Sequence, residues 1–163
     1  MIELKPSGFE PYPALLAHQV RISQAGVAFG ATCSFVGTLR DFNEGVTVSD
    51  MYLEHYPGMT EKFLARIADE ARQHWNLADL LLIHRVGAIS PGEAIVLIAV
   101  WSVHRGDAFD ACRYLIEQLK SRAPFWKRET LPGGSHRWVS GNTDGYRGDS
   151  GQSGAGSTKG IPA

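Results

Sequence analysis

Ala94-Ile95-Val96-Leu97-Ile98-Ala99-Val100-Trp101-Ser102-Val103 is apolar at nearly every position. A strand with one wet face alternates apolar and polar side chains, so this unbroken run predicts a strand covered on both faces. Ser90-Pro91-Gly92-Glu93 before it is a turn. Residues 80–86 predict a second strongly apolar strand, ended by Gly87. On the other side, Gly106-Asp107 opens a predicted helix that runs to about Arg122. Phe109, Cys112, Leu115, Ile116 and Leu119 form its apolar stripe, and Pro124 stops it.

Further out, Met59, Phe63, Ile67 and Ala71 recur every fourth residue with Leu64 and Ala68 beside them. That is helical period, over residues 60–75, after a break at Pro57-Gly58. Residues 46–56 predict a strand with Thr47, Ser49, Met51, Leu53 and His55 on one face. Neither of its faces is cleanly apolar, so either can meet the core. Residues 41–45 read as a loop and 26–36 as a buried strand. A short helix is predicted over 14–20, after Pro11 and Pro13. Two short strands, 125–130 and 136–139, are joined by Pro132-Gly133-Gly134. The pattern predicts an α+β domain over residues 1–140. Residues 141–163 form a Gly/Ser-rich tail with too little apolar content to offset its ordering entropy, and read as disordered.

With 163 residues and 44% hydrophobic content, the chain can bury a core without disulfides or metals. Its formal net charge of -1 gives no global field toward nucleic acid or membrane, so any anion site is local. Cys33 and Cys112 stand alone, without a Cys-x-x-Cys pair, which argues against a zinc cage or a disulfide scaffold. Each falls in an apolar face, where a thiol acts as a small hydrophobe. No secretory pattern opens the chain and no apolar run approaches the ~20 residues of a membrane span, so a soluble, cytoplasmic protein is expected. Phosphate-binding loops of the Gly-x-x-x-x-Gly-Lys and Gly-x-Gly-x-x-Gly kinds are missing, as is a Gly-x-Ser-x-Gly elbow.

Four segments can carry chemistry. Lys120-Ser121-Arg122-Ala123-Pro124-Phe125-Trp126-Lys127-Arg128-Glu129 places four cations and two aromatics about a proline break. Side chains from a helix end and a following strand can converge there on an anion. The same run also reads as a solvated basic helix terminus, or as a surface that stacks single-stranded RNA. Ser102-Val103-His104-Arg105 ends a strand before a helix, where ligands often sit. A surface His beside a surface Arg is the plainer reading. Gly37-Thr38-Leu39-Arg40 offers another anion contact, or an ordinary loop. Leu53-Glu54-His55-Tyr56-Pro57-Gly58-Met59 has no partner spaced to complete a metal site, and reads as structural.

These four strings, in this order, resemble the catalytic large subunits of molybdopterin synthase. The likeness covers roughly residues 26–139. It implies an α/β hammerhead fold with an additional small antiparallel β-sheet, and no metal or redox cofactor. It implies a homodimer of large subunits within a heterotetramer. Each large subunit would bind a small ubiquitin-like sulfur-carrier subunit whose Gly-Gly tail bears a thiocarboxylate. Sulfur would pass to cyclic pyranopterin monophosphate, forming the dithiolene of molybdopterin. Carried over by matching motif, Lys120 and Lys127 are the implied catalytic lysines. Arg40, His104, Arg105 and Arg128 are implied to hold phosphate and pterin, with Thr38, Leu39 and Glu129 lining the site. No nucleic acid or membrane partner is implied.

Overall fold

The computed structural model describes residues 1–43 and 45–139. The expected tail, 141–163, lies outside the described residues.

The two apolar runs are the central strands of the main sheet: β6 (Leu77–Arg85) and β8 (Ala94–Ser102), antiparallel to each other. β1 (Ile2–Lys5) adds parallel to β6 and β2 (Ala31–Thr38) antiparallel to β8, giving the order β1-β6-β8-β2. Both faces are covered, as an unbroken apolar strand requires. On one face Leu80, Leu82, Val96, Ile98 and Val100 meet α2 (Met59–His74) and α3 (Arg105–Arg122). On the other Leu81, Ile83, Leu97, Ala99 and Trp101 meet Ile22 of α1 (Pro11–Gln24). Each fully buried Leu or Ile contributes roughly 1.5–3 kcal/mol. No helix among the described residues is long and apolar enough to cross a membrane.

A second, antiparallel sheet packs beside this body in the order β10-β9-β5-β7: β10 (His136–Trp138), β9 (Phe125–Thr130), β5 (Asp50–His55) and β7 (Gly87–Ile89). A small hairpin, β3 (Phe42–Asn43) with β4 (Val46–Thr47), lies apart. The molecule is thus the expected α+β hammerhead with its added antiparallel sheet. The chain crosses from main to small sheet between β6 and β7, where Gly87 takes a φ of 81°. The buried Arg85 guanidinium ties that crossing, donating to the carbonyls of Val86 (2.7 Å), Lys5 (3.3 Å) and Ala88.

Several expectations are corrected. The strand expected over 26–36 begins at Ala31, because Val27 and Phe29 pack instead on the α1 side of the main sheet. The strand expected over 46–56 splits. Val48 donates its amide to Asp41 and Ser49 donates to Thr130, so the ladder changes partner between them. The ambiguous face of β5 resolves in favour of Met51 and Leu53, both buried. Met59 is 47% exposed and Phe109 59% exposed, so neither belongs to its stripe. The buried line of α3 runs through Ala108, Ala111, Cys112, Leu115 and Leu119, which leaves Phe109 one residue, about 100°, off the face. β1 was not anticipated, and α1 extends well beyond 14–20 at both ends.

Candidate active site

Where the main sheet meets the small one, two adjoining cavities share Thr38, Ile95, Lys120 and Lys127 in their walls. Four elements bring these together: β8 carries Ile95, and β2, α3 and β9 carry the other three. Thr38 sits at the end of β2, just after an irregularity in its pairing with β8 at Gly37. A Cβ on Gly37 would stand 3.0 Å from Val96 Cγ1 and 3.3 Å from the Phe35 ring, so only glycine passes this crossing without displacing its neighbours. Leu39 is then held by two backbone bonds, its amide to Glu93 and its carbonyl from Gly92. That fixes Arg40, whose guanidinium lies 5.1 Å from the Phe42 ring centroid. Lys120 comes from the last turn of α3. Pro124 cannot continue the helix, and the chain reverses into β9, which returns Lys127 to the same space.

The more polar cavity is also lined by Leu39, Arg40, Asn43 and Glu129. Glu129 is only 3% exposed, and a buried carboxylate needs partners. It has them: Asn43 Nδ2 donates at 2.6 Å, and Arg137 donates through Nε at 3.2 Å and a terminal nitrogen at 2.6 Å. Burial holds the Lys127 ammonium below the ordinary lysine range; Lys120's positive charge adds to this and Glu129 opposes it. A lysine so placed exchanges its proton more readily than one in water.

The second cavity is more apolar, with Phe35, Leu53, Ile116 and Leu119 among its walls, and His84 reaches it from β6. His84 is buried and stacks on Phe125, ring centroids 4.1 Å apart and planes 11° from parallel. Its pKa is pulled down to about 4, first by burial and then by the charges of Lys127 and Lys120, against the Arg85 carbonyl that raises it.

Of the residues implied by the resemblance, Thr38, Leu39, Arg40, Lys120, Lys127 and Glu129 gather around these cavities. The others stand elsewhere. His104 caps the N-terminus of α3 and Arg105 is its first residue, both exposed. Fifteen residues of helix separate Arg105 from Lys120, about 22 Å along its axis. Arg128 pairs with Tyr52 while Lys127 pairs with Leu53 and Glu129 with Met51. Strand alternation therefore turns Arg128 to the outer face, where its guanidinium lies 5.4 Å from the Tyr52 ring centroid. The aromatic-basic run is thus divided between two faces of one strand rather than forming one continuous surface. Sequence reasoning missed Asn43, Arg137 and His84. Neither cysteine lines the two cavities. Cys112 is buried beside Cys33, and burial pushes its thiol well above the usual range, away from the nucleophilic thiolate.

Residues 13–122 match the family model described as MoaE protein. A molybdopterin synthase catalytic subunit from Ralstonia nicotianae is 59% identical over 110 residues, 68% of this chain and 62% of that protein's own length. One from Pseudomonas aeruginosa is 48% identical over 140 residues, covering 86% of this chain and 90% of the relative. Among solved structures, the molybdopterin biosynthesis MoaE protein from Burkholderia ambifaria MC40-6 superposes with a TM-score of 0.70 at 42% identity, over 88% of this chain and 90% of that one.

Proposed function

Because the chain belongs to the MoaE protein family, we propose that it is the catalytic subunit of a molybdopterin synthase, acting in molybdenum cofactor biosynthesis. In this reading it is a sulfurtransferase. A small ubiquitin-like carrier inserts its Gly-Gly tail, and sulfur passes from the tail's thiocarboxylate to cyclic pyranopterin monophosphate. Two such deliveries form the dithiolene of molybdopterin. The observation that carries the reading is the meeting of Lys120 and Lys127, from separate elements, in one partly enclosed corner with Arg40.

The thiocarboxylate sulfur bonds to a substrate carbon in place of an oxygen substituent. Water then adds to the resulting thioester carbon, the acyl C–S bond breaks, sulfur stays on the substrate and the tail leaves as a carboxylate. During that addition negative charge builds on the carbonyl oxygen. An ammonium held at that point stabilises the charge, and a lysine of lowered pKa can pass a proton on. Lys120 and Lys127 are assigned these roles. Arg40 is suited to the substrate's phosphate, since a guanidinium makes two parallel bonds to such oxygens. Glu129, locked by Asn43 and Arg137, is a wall of the site that keeps β9 in place. His104 and Arg105 lie too far along α3 to touch the substrate that Lys120 of the same chain holds. The homodimer within the proposed heterotetramer resolves this, a second copy bringing its own α3 N-terminus to the site. Arg128, facing outward, then acts at a subunit contact or on the far side of the sheet. The reaction is assigned to the cytoplasm, consistent with two free thiols.

The test is reconstitution. The purified protein is mixed with thiocarboxylated carrier and cyclic pyranopterin monophosphate, and dithiolene product is measured. Product is expected only with the thiocarboxylated carrier. Equal product with an ordinary carboxylate tail, or none with either, overturns the reading.

A further inference from the structure

His84 is a polar residue at a strand position that an apolar one would fill at less desolvation cost. It shares the inner face of β6 with Leu80 and Leu82, and its backbone neighbours are Leu4 on β1 and Val96 on β8. Nδ1 lies 2.8 Å from the backbone carbonyl of Arg85. A carbonyl only accepts, so Nδ1 carries the proton and the neutral ring keeps its lone pair at Nε2. The cavity that His84 lines is otherwise mostly apolar, and Thr38 and His84 are the side-chain acceptors in its described wall. Its ammonium groups are Lys120 and Lys127. From the surrounding elements the charges that face the ring are Lys120 of α3 and Lys127 of β9, with Glu129 beyond Lys127. β1 and β8 present apolar side chains there.

We propose that His84 is a positioning residue for the lysine pair, its Nε2 accepting a hydrogen bond from a lysine ammonium and aiming that ammonium at the reacting carbonyl. This rests on the function proposed above. A neutral imidazole suits the task because it accepts from a cation without repelling either lysine. The Phe125 stack and the Arg85 carbonyl fix the ring at both its face and its edge, so the lone pair has one direction. Burial keeps the ring neutral throughout the working range of pH.

Two substitutions separate this role from a merely structural one. In His84→Asn the amide nitrogen stands near the position of Nδ1 and can still donate to the Arg85 carbonyl, but nothing replaces Nε2. In His84→Gln an amide oxygen reaches the Nε2 position, while the donor to Arg85 is lost. His84→Asn should hold its melting temperature and lose about tenfold in single-turnover rate, the scale of one hydrogen bond. Its Lys127 side chain, followed by NMR, should titrate at lower pH than in the wild type, because the ammonium has lost an acceptor. His84→Gln should melt lower, yet run close to the wild-type rate with the Lys127 titration restored. If the rate and the titration follow stability rather than the Nε2 position, or neither variant moves them, His84 is structural only. The lysine titration needs no substrate. A wild-type protein that makes no dithiolene therefore refutes the proposed function, whereas an unmoved titration in His84→Asn refutes the contact itself.

Discussion

The two sheets bury different mixtures: the inner strands of the main sheet are almost wholly apolar, whereas the small sheet sets charged residues against Met51, Leu53 and Ile89. On β6 and β8 the inward residues are Leu80, Leu82, Val96, Ile98 and Val100. On β9 they are Lys127 and Glu129, set against Leu53 and Met51 of β5. Apolar burial is non-directional and tolerates small rearrangements. A buried carboxylate or ammonium tolerates none, because it needs a partner at a fixed angle. The main sheet therefore holds the molecule together, and the small sheet, supported by Asn43 and Arg137, holds charges where water is scarce. The proposed function places the chemistry on the seam between them, where the two cavities lie.

That contrast can be broken at three points. Leu115→Ala, at a fully buried position between α3 and the main sheet, should lower stability by about 3–5 kcal/mol in urea unfolding. A loss below about 1 kcal/mol would mean the main core is not what carries stability. The seam should respond to pH. His84 has an ordinary value of 6.5 when unfolded and about 4 when folded, so the unfolded chain takes up its proton first. Its contribution is fully present above pH 6.5 and is lost as pH falls towards 4, by roughly 3 kcal/mol in all. His18, also lowered mainly by burial, acts in the same direction from the other face. Comparison with His84→Asn isolates the seam: its stability curve should be flatter over that range, and an unchanged slope would show that His84 does not titrate this way. Smallest is Phe109→Ala, at a position 59% exposed, which should stay within about 0.5 kcal/mol of the wild type. A core-sized loss there would restore the sequence-derived stripe.

The main sheet was legible because its signal is redundant. Every residue from Leu80 to Ile83 and from Val96 to Trp101 votes for burial, so no single error matters. Phe109 misled because hydrophobicity marks what a residue prefers, while the stripe is set by Ala108 and Ala111, whose small size suits close packing on the sheet. β1 was invisible because four residues become a strand only through pairing with β6, whose partner residues Leu82 to Arg85 are far away in sequence from Ile2 to Lys5. For the site, local physics left the basic run open between an anion pocket, a solvated helix end and an RNA surface. The family strings, not the spacing, singled out Lys120 and Lys127. Two supports were nearer to hand. Glu129 on a strand beside buried neighbours calls for a partner, and the hairpin about Pro132-Gly133-Gly134 places Arg137 directly across from it. Asn43 and His84 gave no such signal, since their partners arrive only with the tertiary fold.

The role of the seam is tested most directly by Lys120→Ala in single-turnover kinetics at saturating carrier and pterin, with circular dichroism to confirm folding. Lys120 ends the buried stripe of α3 just after Leu119, so truncation should spare the core. Removing one electrostatic contact to the developing charge should cost roughly 100-fold or more in rate while carrier and pterin still bind. A folded Lys120→Ala protein that runs near the wild-type rate once saturated would contradict the assignment of the chemistry to this lysine pair.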